Sequence, residues 1–89
     1  MRTPVYTKRF EKDLKRMIRR GHDPESIKPI VYKLIDEAPL ERKHRDYLLI
    51  GNFKDRRECH IAPDWLMIYR LEENIIIFER TRTHADLFK

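Results

Sequence analysis

The sequence predicts an α+β fold: an N-terminal strand, a two-helix hairpin, and an antiparallel sheet on which the hairpin packs. Two observations carry this prediction. Apolar residues recur at helical spacing in the first half, and the period switches to two after about residue 46. A third bounds it. The chain has 89 residues, 40% hydrophobic and nine of them aromatic, enough for one core and one domain over 1–89.

Residues 3–6 are extended in character. Thr7 is the expected N-cap of a helix over about 8–20, with Phe10, Leu14, Met17 and Ile18 as its apolar stripe. Gly21 ends that helix as a left-handed residue would. Asp23 followed by Pro24 starts the second helix, whose apolar face is Ile27, Ile30, Val31, Leu34 and Ile35. Pro29 cannot donate a hydrogen bond back to Glu25, so either the helix kinks or its regular part begins near Ser26. Ala38-Pro39 closes it, and a charged linker runs over 40–46. Strands follow at about 47–54, 57–62, 65–72 and 74–80, punctuated by Asp55-Arg56, Ala62-Pro63-Asp64 and Glu72-Glu73-Asn74. The strand at 65–72 is apolar on both faces, which suits a central position. The helices cover one sheet face and leave the other for function.

Charge narrows the function classes. The net charge is +5, from 20 basic and 15 acidic residues. All of it resides in residues 8–20, where Lys8, Arg9, Lys12, Lys15, Arg16, Arg19 and Arg20 face only Glu11 and Asp13. Such a stripe suits a phosphate backbone or an acidic protein partner; the alternative is a solvated helix face. One cysteine excludes a disulfide framework within the chain. No apolar run is long enough to span a membrane, and the N-terminus lacks the apolar region of a signal peptide. A cytoplasmic protein without a membrane partner is expected.

Candidate chemistry clusters in the second half. Alternation in Arg57-Glu58-Cys59-His60-Ile61 puts Cys59 and Ile61 on the core face, and Glu58 and His60 on the open one. Asp64 caps a turn or serves the site. Trp65 is either a core residue or a platform for a nucleobase. In the last strand, alternation puts Ile76, Phe78 and Arg80 on one side. Arg80 and His84 are four residues apart and can bring a cation and a proton donor to one phosphate. RNA cleavage requires a base for the 2′-OH, an acid for the 5′-oxygen and a cation for the phosphorane. His60, Asp64, Arg80 and His84 supply such a set without a cofactor. A metal site of His60, Asp64 and His84 matches no ligand spacing that the sequence justifies.

Residues 57–71, read as RECHIAPDWLMIYRL, together with Glu79-Arg80-Thr81-Arg82-Thr83-His84-Ala85-Asp86-Leu87-Phe88, resemble the YafQ-type branch of the RelE/ParE toxin superfamily. The resemblance covers about 45–88 and implies a RelE-like microbial ribonuclease fold. It further implies the toxin of a type II toxin–antitoxin pair: an endoribonuclease, or mRNA interferase, that cleaves mRNA in the ribosomal A site without a metal. Its implied partners are the bacterial ribosome with its mRNA and a cognate antitoxin of ribbon-helix-helix type, through which alone operator DNA is reached. By position, His60 and Asp64 match functional residues, Arg80 the phosphate-binding arginine and His84 the general acid. Trp65 and Phe88 match positions near the bound nucleotides. Lys8, Lys12, Lys15, Arg16 and Arg19 then contact RNA phosphates.

Two positions depart from the branch. Tyr47 stands where it has a histidine; tyrosine, with a reference pKa near 10, is a poor base at neutral pH, but it can still orient the 2′-OH or bind a phosphate. Arg82 stands at a position usually held by glycine, where it either adds a phosphate contact or strains the loop. The alternative function is therefore a weakened family member that binds antitoxin or RNA.

Overall fold

The computed structural model describes residues 1–48, 56–83 and 86. Strand β1 (Thr3–Tyr6) leads into helix α1 (Lys8–Arg19). Thr7 caps α1 as expected, its hydroxyl oxygen accepting from the Phe10 N–H at 3.0 Å. Gly21 ends it with φ of 97°. The Pro29 conflict is resolved by dividing the second helix. Pro24–Ser26 form a single 3-10 turn, and α2 (Lys28–Ile35) begins anew, with Pro29 in its first turn where no intrahelical donor is needed. A second 3-10 turn, Arg42–His44, occupies the expected linker.

The described strands form one sheet in the order β1-β5-β4-β3-β2. They are β2 (Tyr47–Leu48), β3 (Arg56–Ala62), β4 (Trp65–Glu72) and β5 (Ile75–Arg82). The expected first meander strand continued to 54; residues 49–55 lie outside the described residues. β2 to β5 are antiparallel neighbours, whereas β1 runs parallel to β5, so the sheet is mixed. The chain enters at one edge and returns there last. β1 pairs with Ile75–Phe78, and among the described residues the outer edge of β5 from Glu79 onward has no strand partner.

The core lies between the helices and one sheet face. Phe10, Met17, Ile27, Ile30, Val31 and Leu34 pack on Cys59, Ile61, Trp65, Met67, Tyr69, Ile76 and Phe78. Each large apolar side chain buried there contributes about 1.5–3 kcal/mol. The apolar stripe of α1 differs from expectation at one position. Ile18 is 41% exposed, and Asp13 is buried in its place, three residues after Phe10 and four before Met17. The second sheet face is not bare either. Leu66 and Ile68 project there by alternation, outside the core cluster, and both are buried.

Candidate active site

A bulge in β5 builds the candidate site. Tyr69 pairs with Phe78, but the next residue back, Ile68, pairs with Arg80. Glu79 is the extra residue. One inserted residue transfers every later side chain to the opposite face. Strict alternation would put Arg80 with Ile76 and Phe78 on the core face; the bulge puts Arg80 and Arg82 on the second face instead. Thr81 turns inward and is buried opposite Met67.

The register then assembles two rungs. Tyr47, Glu58, Ile68 and Arg80 align across β2, β3, β4 and β5. His60, Leu66 and Arg82 form the next rung. At about 4.8 Å between strands, Glu58 and Arg80 are roughly 10 Å apart at Cα. Residues from three separate sequence segments thus share one face, with apolar Leu66 and Ile68 as its floor.

Two carboxylates organise the cations. Glu58 is 1% exposed, and its Oε1 lies 3.4 Å from Nε2 of half-buried His60. Asp13 is 6% exposed, and its Oδ2 accepts from Arg80 Nε at 2.7 Å and from the Thr81 N–H at 3.3 Å. Neither acid was singled out from the sequence. For Glu58 the available signal was its place two residues before His60 on one strand face. For Asp13 it was a carboxylate on the apolar stripe of a basic helix.

An open cavity of about 450 Å³ adjoins His60, lined also by Lys43, His44, Arg45, Ala62 and Pro63. His44 Nδ1 lies 2.7 Å from the His60 carbonyl oxygen. A carbonyl only accepts, so Nδ1 carries the proton. No motif announces this contact, because it joins a linker turn to a strand 16 residues away.

The remaining candidates are distributed as follows. Asp64 is exposed in the β3–β4 turn. Trp65 is corrected from a nucleobase platform to a core residue. It is 1% exposed, its indole packs near His22, and its N–H donates to Thr81 Oγ1 at 2.7 Å. Lys8, Lys12, Lys15, Arg16 and Arg19 are all exposed on α1. That helix packs on the core side of the sheet, and its Asp13 reaches the edge of β5 to meet Arg80. Tyr47 takes its place by backbone register alone; its side chain lies outside the described part of the structure. His84 and Phe88 lie outside the described residues. Thr83 and Asp86, the described residues nearest to His84 in sequence, bond to each other. Thr83 N–H donates to Asp86 Oδ2 at 3.4 Å, and Asp86 N–H donates to Thr83 Oγ1 at 3.2 Å. This reciprocal pair is a capping box. Arg20 Nη1 donates to the same Asp86 oxygen at 2.8 Å and, with Thr83, holds that carboxyl down to about 2. Among the described residues no three His, Cys, Asp or Glu side chains are gathered as a metal site.

The fold, a helical hairpin on a mixed sheet, has known counterparts. The chain belongs to a family of bacterial toxins of type II toxin–antitoxin systems, the YafQ family, which it matches over residues 2–89. It is 38% identical over 84 residues to the mRNA interferase toxin YafQ of Escherichia coli strain K12, spanning 93% of this chain and 91% of that one. The crystal structure of the E. coli DinJ–YafQ complex superposes with a TM-score of 0.92 at 37% identity, covering 100% of both chains. A metal-bound toxin from Helicobacter pylori superposes with a TM-score of 0.91 at 39% identity, covering 99% of this chain and 100% of that one.

Proposed function

We propose that this protein is a ribosome-dependent endoribonuclease that cleaves mRNA in the A site and thereby inhibits translation. The observation that carries the reading is the β5 bulge, which sets Arg80 in register with Tyr47 and one rung from His60. In the proposed reaction a base removes the 2′-OH proton and O2′ attacks the adjacent phosphorus. The 5′-oxygen then leaves with a proton from an acid, yielding a cyclic phosphate and a 5′-hydroxyl. Arg80 stabilises the phosphorane charge, with Arg82 beside it. His84 is the proposed acid. His60, paired with Glu58, or Asp64 takes or orients the 2′-OH proton, and Tyr47 assists.

The E. coli relative's complex with DinJ supports a second part of the proposal. An antitoxin, of ribbon-helix-helix type, holds this toxin inactive by laying an acidic extended segment over its cations.

The test is cleavage of a defined mRNA on programmed bacterial ribosomes, mapped by primer extension. The chain as it stands should cut only with ribosomes present. Arg80→Gln should lose about 10²–10³-fold in rate, and His84→Ala about 10²–10⁴-fold. Undiminished cutting by His84→Ala overturns the assignment of the acid. An inactive parent beside an active Tyr47→His variant leaves the chain as a binding module instead.

A further inference from the structure

We propose that Asp13, on the helix that passes the edge of β5, is a positioning residue that sets Arg80 for its phosphate. The proposal rests on the ribonuclease reading and extends it to a residue outside the site's own strands.

β1 stops at Tyr6, so among the described residues the outer edge of β5 beyond Phe78 has no strand beside it. The first turns of α1 pass there, and Asp13 fills the gap. Its carboxylate takes the Thr81 N–H that a strand would otherwise take, and so replaces a rung of the sheet. The same group receives Arg80 side-on, with Nε on Oδ2 at 2.7 Å and Nη2 on Oδ1 at 3.4 Å.

A guanidinium has five N–H donors in a rigid plane. Asp13 engages the Nε edge and one Nη2 hydrogen. Among the described residues the Nη1 pair and the second Nη2 hydrogen have no partner, which leaves them for a ligand. A side-on carboxylate also fixes the plane of the guanidinium, which a flexible side chain would otherwise lose entropy to adopt on binding. Arg80 remains 27% exposed, so its free edge is accessible.

Asp13 also manages charge. Arg82 Nε, buried and without a hydrogen bond among the described residues, lies 3.7 Å from Oδ1. One buried carboxylate thus sits between two arginines and reduces their mutual repulsion. The alternative, a purely structural salt bridge, predicts that Asp13 acts on stability and not through Arg80.

The test combines cleavage with a direct view of Arg80. Asp13→Asn, Asp13→Glu, Arg80→Ala and the Asp13→Asn/Arg80→Ala pair are assayed on programmed ribosomes, with melting temperatures measured in parallel. Asp13→Asn should lower kcat about 10–100-fold with KM moved less than about threefold, and Asp13→Glu, which keeps the charge, should recover most of the loss. In the Arg80→Ala background Asp13→Asn should have no further effect, because the two residues act as one unit. The ¹⁵N–¹H signal of Arg80 Nε should be protected from exchange in the parent and lost in Asp13→Asn. A folded Asp13→Asn variant that cuts within twofold of an active parent overturns the proposal alone, as does an equal loss in both backgrounds. A parent that cuts nothing fails at the ribonuclease reading and takes the proposal with it.

Discussion

The indole N–H of Trp65 donates to Thr81 Oγ1 at 2.7 Å, and Thr81 in turn donates to the Leu66 carbonyl at 2.9 Å. Both side chains are buried, so the pair ties β4 to β5 beside the bulge that turns out Arg80. Trp65→Phe should therefore act on stability. Losing the buried bond and part of the ring costs about 1–3 kcal/mol, or roughly 5–15 °C in Tm. Cleavage well below the new Tm should stay within a few-fold. An unchanged Tm with abolished cleavage would restore Trp65 to the substrate surface.

Acid should weaken the contacts of Asp86 with Arg20 and Thr83. Its carboxyl is held at about 2 in the folded chain against an ordinary 3.8, by Arg20 first and Thr83 second. The stabilisation is fully present above pH 3.8. It is lost as pH falls toward 2, because the unfolded chain takes up the proton first. Melting temperature followed from pH 5 to 2 should fall more steeply for the parent than for Asp86→Asn. Parallel curves would refute the linkage.

Cys59 should be chemically silent. It is fully buried, and burial foremost pushes its thiol far above the ordinary range. Only the thiolate reacts readily. Ellman's reagent at pH 8 should find no thiol in the folded protein over minutes and one per chain in denaturant. Rapid native labelling would contradict the packing of β3 against the helices.

Tyr47 shares a rung with Arg80 and Glu58 through its backbone. Tyrosine is almost wholly protonated at neutral pH, whereas histidine titrates there. Tyr47→His should raise ribosome-dependent cleavage by about tenfold or more, within the range of general-base catalysis. A rate equal to or below the parent's would show that this position does not limit the reaction.

The cations of α1 make a prediction about salt. Lys8, Lys12, Lys15 and Arg19 are exposed on α1. Neutralising one side chain that binds a phosphate should reduce the slope of log affinity against log salt by about 0.7–0.9. Ribosome binding by the fourfold Gln variant should show a slope shallower by about three. An unaltered slope would move RNA binding elsewhere on the molecule.

Much of the architecture was legible because local chemistry is sufficient for it. The Thr7 cap, the Gly21 stop and the turn at Glu72-Glu73-Asn74 are written in adjacent residues. The apolar runs of 65–72 and the alternation in 57–61 identified the central strand and put Cys59 inward and His60 outward. Nothing local reveals that β1 pairs parallel with β5, since that pairing joins residues some seventy positions apart.

The site divides along the same line. Residue types and their order nominated His60, Asp64, Arg80 and His84, because chemistry restricts which side chains can move a proton or hold a phosphate. The face on which Arg80 stands was decided by a bulge at Glu79, a register shift that depends on how β5 meets β4. The roles of Asp13 and Glu58 were decided by burial, which only packing establishes. Trp65 was ambiguous in the chain for the same reason: an indole suits a core and a nucleobase equally well, and only its neighbours choose between them.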